Sequence, residues 1–237
     1  MKYYRFYLVL ILSLILVACR GEAPKGPPAS PEAIPPAAPA APVQPKKSVP
    51  KIIAFGDSLT AGYGLPLEQS YPSLLQNRLD REGLAYEVVN AGVSGDTTAG
   101  GLSRIDWALE GDVRIVILEL GANDILRGQP IPAMKKNLSE IIARVKARGA
   151  EVLLAGMEAP TNMGIQYRKA VHDAYQSLAS EHNVAFIPFF LEHVAGIESL
   201  NLPDRIHPNA EGTKIVAETV YRLLKPALEK QSRAAAS

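Results

Sequence analysis

Lys51-Ile-Ile-Ala-Phe-Gly-Asp-Ser-Leu-Thr60 is the stretch on which the fold turns. Ile52 to Phe55 form a short apolar run without polar interruption, the pattern of a strand buried on both faces of a parallel sheet. The run stops at Gly56-Asp57-Ser58. Glycine lets the chain bend sharply there because it has no Cβ to clash. Asp57 and Ser58 thus follow the carboxyl end of the first strand, the edge where open α/β sheets bind ligands. A serine held at that edge is a candidate nucleophile. Asp and Ser are also common turn residues, so these ten residues alone favour a capping role. The remaining chain reverses that preference.

Downstream, short apolar runs alternate with longer segments of helical period, which predicts a parallel sheet covered by helices. The expected strands are 52–55, 86–90, 113–120, 151–155 and 184–188. The first helix has Pro72 in its opening turn, Leu74, Leu75 and Leu79 on one face, and Gly83 past its end. Leu102, Ile105 and Leu109 mark a second helix, with Asp96-Thr97-Thr98 as its N-cap cluster. Met134, Leu138, Ile141, Ile142 and Val145 mark a third, ended by Gly149. Val171, Tyr175, Leu178 and Ala179 mark a fourth. Ile215, Val216, Thr219, Val220, Leu223 and Leu224 mark a fifth, capped by Asn209. Five strands and five helices in this order give a three-layer α/β/α sandwich spanning about residues 51–230, with 231–237 as a tail.

In such a sheet the loops after the strands gather on one edge. The first supplies Gly56, Asp57 and Ser58; the second, Asn90-Ala-Gly-Val-Ser-Gly-Asp-Thr97; the third, Gly121-Ala-Asn-Asp124. The last supplies Asp204-Arg-Ile-His-Pro208. Asp204 and His207 are three apart, close enough to meet, while Pro208 pushes His207 out of helical geometry and onto a tight loop. A carboxylate beside an imidazole selects its tautomer and supports its cation. His172 and His182 fall in the fourth helical segment and His193 in a short segment after the last strand; these three are read as surface or packing residues. Glu119 and Asp57 are read as structural carboxylates bonded to nearby backbone.

The four blocks Gly56-Asp-Ser-Leu59, Ser94-Gly-Asp-Thr97, Gly121-Ala-Asn-Asp124 and Asp204-Arg-Ile-His-Pro208 together resemble the GDSL, or SGNH, hydrolases, in the order found in that family. The resemblance covers residues 51 to about 226. It implies a flavodoxin-like sheet with Ser58 as nucleophile, His207 as base and Asp204 as its orienting carboxylate. It also implies an oxyanion hole made of the Ser58 N–H, the Gly95 N–H and the Asn123 amide. No metal and no cofactor is implied. Some members have a second glycine where Ala122 stands, a difference expected to narrow the pocket slightly. The glycine-serine-glycine elbow of ordinary α/β-hydrolases is missing.

The amino-terminal part is different in kind. Lys2 and Arg5, the apolar stretch 6–18 and the ending Leu16-Val-Ala-Cys19 read as an export signal. The apolar run is short for a spanning helix, which needs ~20 residues. The ending resembles the bacterial lipobox, which implies cleavage after residue 18 and lipidation of Cys19. An uncleaved anchor or a plain signal is the alternative. Residues 20–50 are dense in Pro and Ala with no aromatic residue. They read as a semi-rigid polyproline tether or, alternatively, a proline-rich binding segment.

The chain has 237 residues and a formal net charge of +1, without the basic stripe of a nucleic-acid binder. Cys19 is the single cysteine, so an intramolecular disulfide and a multi-cysteine zinc site are excluded. The expected partners are a small acyl ester or thioester and, through Cys19, a membrane; the expected state is a monomer facing the periplasm or cell exterior. Segments 125–133 and 159–167 border the expected pocket. They and the strand-four end contribute Leu126, Ile131, Met157, Met163, Ile165 and Tyr167, an apolar set suited to an acyl chain or simply to packing the loops. The expected activity is hydrolysis of short- to medium-chain esters and thioesters, lysophospholipids included. The alternatives are a carbohydrate or peptidoglycan O-acetylesterase and a non-catalytic lipid-anchored binding module.

Overall fold

The computed structural model describes the backbone of residues 49–236 and the side chains of residues 49–231. The expected leader, Cys19 and nearly all of the tether lie outside the described residues. Strands Lys51–Gly56 (β1), Glu87–Gly92 (β2), Val113–Glu119 (β3), Glu151–Ala155 (β4) and Ala185–Ile187 (β5) form one sheet in the order β2-β1-β3-β4-β5. All four pairings are parallel. β4 matches the sequence expectation at both ends, and the ends of the other strands lie within two residues of it.

Burial follows position in the sheet. Ile52 to Phe55 of β1 and Ile115 to Leu118 of β3 are buried, because helices cover both faces of these central strands. Each such aliphatic side chain contributes ~1.5–3 kcal/mol relative to exposure. β2, at one edge, is only half-buried.

Among the described residues seven α-helices accompany the sheet: Ser58–Ala61 (α1), Tyr71–Arg81 (α2), Thr98–Ala108 (α3), Ala122–Leu126 (α4), Ile131–Ala147 (α5), Ile165–His182 (α6) and Ala210–Ala236 (α7). α2 packs on α7, while α3, α5 and α6 pack in series, giving two helical layers around the sheet. The five helices expected from periodicity are α2, α3, α5, α6 and α7. The additional α1 and α4 are single turns, too short for a 3.6-residue period to register. α7 continues past Lys230, so most of the expected tail is helical in backbone.

The caps match the sequence reading. The Thr97 hydroxyl accepts from the Gly100 N–H at 3.3 Å. Asn209 Oδ1 accepts from Glu211 N and Gly212 N at 3.0 and 3.1 Å. Such a cap contributes ~1 kcal/mol to its helix.

The strand order puts the functional loops together. After β1 the chain crosses to β2 on one side, and after β2 it returns to β3 on the other. β1 and β3 therefore flank the point where the winding reverses, the crevice in which such sheets bind ligands. The register is tight there: Gly56 pairs with Gly92 and with Glu119. The three loops carrying Ser58, Gly95 and Asn123 thus leave the sheet at one level.

Candidate active site

Ser58 opens α1 directly after β1. Asp57 caps that turn, its Oδ1 accepting from the Leu59 N–H at 3.0 Å. The turn lies against β2, where Gly92 leaves no room for a side chain. A Cβ at Gly92 would stand 2.2 Å from the Ala61 nitrogen. The half-buried Ser58 hydroxyl is consequently held at the sheet edge.

His207 reaches it from a loop nearly 150 residues away. Arg205, in the left-handed region at φ 60°, turns the chain. The Leu202 N–H donates to His207 O at 2.8 Å, and an antiparallel bridge between Asn201 and Pro208 closes the loop base. Asp204 Oδ1 accepts from the N–H groups of Ile206 and His207 at 2.9 and 3.0 Å, while Oδ2 lies 2.6 Å from His207 Nδ1. His207 Nε2 lies 2.8 Å from Ser58 Oγ. An ionised carboxylate only accepts, so Nδ1 carries the proton and Nε2 is free to take one from the serine. Partial burial works against the Asp204 charge, but the N–H groups of His207 and Ile206 and the His207 ring outweigh it and hold the carboxyl down to about 2.

The expected amide donors lie on the loops that follow β1, β2 and β3. The Ser58 and Gly95 N–H groups donate to no acceptor among the described residues. Gly95 has φ 85° and occupies a turn closed by the Asp96 N–H on Val93 O at 3.0 Å; a side chain would be strained in that backbone geometry. Asn123 Nδ2 donates to Asp57 Oδ2 at 3.0 Å, which leaves its second N–H unspent. Asp124, next in sequence, ties this loop to the second one. Its carboxylate accepts from Thr98 N at 2.8 Å and from Thr98 Oγ1 at 2.7 Å.

Behind the nucleophile lie two buried carboxyls. Glu119 is fully buried; its Oε2 accepts from Thr60 Oγ1 at 2.7 Å and from the Asp57 N–H at 3.3 Å, and its Oε1 has no partner among the described residues. Burial, reinforced by the nearby Asp57, pushes the Glu119 carboxyl well above its usual range. Burial also raises Asp57, to about 6, against the opposing hydrogen bonds from Leu59 and Asn123 and the attraction of His207. The expectation that both bond nearby backbone holds, with an addition: Asp57 also orients a side chain of the site, Asn123.

The structure therefore brings together Ser58, His207, Asp204 and Asn123, with Gly95 on the adjoining loop. It keeps the other histidines apart: His172 Nδ1 faces Glu158 at 2.8 Å and His182 Nε2 faces Ser139 at 2.7 Å. The expected apolar lining divides. Met157 is buried in the core, Ile131, Met163 and Tyr167 pack partly against it, and Leu126 and Ile165 are exposed. Packing thus accounts for Met157, while the Tyr167 hydroxyl joins the two loops by donating to Ile125 O at 3.3 Å. Ala122 also packs on the core.

Three participants escaped the sequence reading. The Tyr63 ring lies over the His207 imidazole, with centroids 4.5 Å apart. Arg104 stacks on Phe55 and binds Asp96, Ala91 O and Gly56 O at 2.7, 2.8 and 2.9 Å, joining the first two loops. Arg127 contacts Gly95 O and Asn123. Only Arg127 left a signal, its four-residue spacing from Asn123.

Comparisons with known proteins give the family. The profile of the GDSL-like lipase/acylhydrolase family matches residues 54–215. Esterase TesA of Pseudomonas aeruginosa is 41% identical over 178 residues, covering 75% of this chain and 89% of that protein. Thioesterase 1/protease 1/lysophospholipase L1 of Escherichia coli K12 is 36% identical over 182 residues, covering 76% and 86%. The crystal structure of psychrotrophic esterase EstA from Pseudoalteromonas sp., inhibited by monoethylphosphonate, superimposes with a TM-score of 0.72 at 33% identity, covering 77% of this chain and all of that one. With its parallel sheet, its Gly-Asp-Ser-Leu turn and these relatives, the chain belongs to the GDSL-like lipase/acylhydrolase family of serine hydrolases.

Proposed function

We propose that this serine hydrolase cleaves carboxylic ester and thioester bonds of short- to medium-chain acyl substrates, lysophospholipids among them, with Ser58, His207 and Asp204 as its triad. The observation that carries the reading is the continuous path from Asp204 Oδ2 through the imidazole to Ser58 Oγ, with steps of 2.6 and 2.8 Å. Ser58 Oγ attacks the acyl carbonyl as Nε2 removes its proton. Asp204 supports the resulting imidazolium. Negative charge forms on the carbonyl oxygen and is received by the N–H groups of Ser58, Gly95 and Asn123; losing one such donor typically costs ~10²–10³ in turnover. His207 then protonates the leaving alcohol or thiol. Water, activated by the same imidazole, releases the acid from the acyl-enzyme.

The names of the relatives, an esterase and a thioesterase/lysophospholipase, support this substrate range. The exposed apolar side chains of Leu126 and Ile165 suit an acyl chain. The proposed setting is a membrane surface outside the cytoplasm, reached by lipid on Cys19 and spaced by the proline-rich 20–50 segment; several acyl chains hold a protein firmly where one is marginal.

The test is a substrate panel on the full chain: aryl esters of increasing acyl length, acyl-CoA thioesters, a lysophospholipid and an acetylated glycan. Turnover of the first three classes is expected, and a strong preference for the glycan overturns the substrate assignment. A serine-directed phosphonate is expected to label Ser58. No adduct there, with no turnover, means a binding module.

A further inference from the structure

We propose that Arg127 is a positioning residue, holding Asn123 and the Gly95 turn in the orientation that receives the carbonyl oxygen. The inference rests on the roles proposed above for Gly95 and Asn123. Arg127 follows α4, four residues after Asn123 and so on the same helical face. Its Nη2 donates to Gly95 O at 2.9 Å and to Asn123 Oδ1 at 3.3 Å. One nitrogen therefore bridges the loops after β2 and β3. The guanidinium is exposed, and it donates to these two carbonyl oxygens, not to a carboxylate, among the described residues.

Donor and acceptor chemistry makes this contact directional. A guanidinium only donates, and an ionised carboxylate only accepts. With Arg127 at one end of Asn123 and Asp57 at the other, the amide has one permitted orientation: Oδ1 toward Arg127, Nδ2 toward Asp57. Rotation by half a turn would oppose Oδ1 to the Asp57 carboxylate and Nδ2 to the guanidinium. The remaining N–H is thereby aimed by two partners rather than one. Gly95 needs a similar restraint, since a glycine is the residue freest to rearrange. Its turn has one closing backbone bond, and Arg127 adds a second hold on its carbonyl.

Such a contact improves donors that act in the transition state more than substrate binding in the ground state. Its loss should appear in kcat and leave KM nearly unchanged. An Arg127 that instead bound an anionic part of the substrate would show the opposite division, and only with charged substrates.

The experiment uses the full chain and a neutral aryl ester, with Arg127→Ala, Arg127→Lys, Asn123→Ala and the Arg127→Ala/Asn123→Ala double variant. Arg127→Ala is expected to lower kcat about 10-fold, less than deletion of a donor because the donors remain but are looser. KM and Tm should stay close to wild type, and lysine, still a donor, should recover part of the loss. In the Asn123→Ala background the Arg127→Ala loss should shrink, since groups that act through one another are not additive. Unchanged kcat, a loss confined to KM, no recovery by lysine or a fully additive double variant overturns the proposal. A wild-type chain inert toward aryl esters overturns the functional reading and this inference with it; an active wild type with an unaffected Arg127→Ala overturns the inference alone.

Discussion

Replacing Asp204 by asparagine separates two tasks that this carboxylate performs in one loop. Its Oδ1 closes the turn, accepting from the Ile206 and His207 N–H groups at 2.9 and 3.0 Å. Its Oδ2 faces His207 Nδ1 at 2.6 Å. Asparagine can keep its carbonyl oxygen on the two backbone groups, so the loop should survive. Its NH₂ then meets Nδ1, and a donor there forces the ring proton onto Nε2. Nε2 is the atom 2.8 Å from Ser58 Oγ, and once protonated it cannot take the serine proton. The wrong tautomer costs ~10⁴ in kcat where this arrangement operates. A carboxylate that merely capped the turn would give a loss of no more than about twofold, since Asn caps as well as Asp.

Asp204→Ala supplies the control, losing both backbone bonds at ~1 kcal/mol each or less at this partly exposed site. Asn should therefore keep the wild-type Tm and Ala should lower it by a few degrees, with kcat collapsing in both. Steady-state hydrolysis of a neutral aryl ester and a thermal melt, on the full chain, measure the two quantities. An Asn variant within tenfold of wild-type kcat would refute the tautomer argument. Because Asp204 stays ionised down to about pH 2, the loss should persist throughout the neutral range.

Three further outcomes follow from the surroundings of the nucleophile. Glu119 has a raised folded-state pKa, so its contribution to stability is complete below the unfolded value near 4.5 and is lost as pH rises through the folded value; Glu119→Gln, permanently neutral, should show a shallower fall in Tm between pH 5 and 9, and an equally steep fall would count against a buried neutral acid. Gly92→Ala would place a methyl 2.2 Å from the Ala61 nitrogen and 2.8 Å from its Cα; as backbone cannot yield cheaply, a loss of ~1–3 kcal/mol is expected, with reduced kcat because α1 carries Ser58, and wild-type melting and activity would disprove the close approach. Tyr63 is half exposed, so Tyr63→Ala should leave Tm unchanged but lower kcat roughly two- to fivefold, the equivalent of ~0.5–1 kcal/mol of ring–cation attraction as the imidazolium forms; Phe should retain the effect, and a Phe variant as slow as Ala would assign the loss to the hydroxyl instead.

Legibility in the sequence tracked the range of the interaction. β1 and β3 were readable because strands buried on both faces give uninterrupted apolar runs, as at Ile52–Phe55. α5 was readable because one face of a long helix repeats every 3.6 residues. α1 and α4 were missed because a single turn contains too few positions to repeat. Met157 stayed open between acyl-chain lining and packing for a related reason: an apolar residue at a strand end reads the same whether it faces a substrate or the core, and the structure buries it.

The chain alone determined the elements, their order and four short blocks of chemically apt residues, since those depend on local backbone preference and on which side chains water rejects. It also carried the three-residue spacing that lets Asp204 and His207 meet, a property of nearby backbone alone. Tertiary structure decided what happens across long separations: that Nε2 stops 2.8 Å from Ser58 Oγ, that Asp57 holds Asn123, that Glu119 is buried, and that Arg127 and Tyr63 reach the site. Those facts arise from sheet register and from helices packed around it. A carboxylate's proton affinity and an amide's orientation depend on which groups surround them in space, and no local pattern in a sequence encodes that.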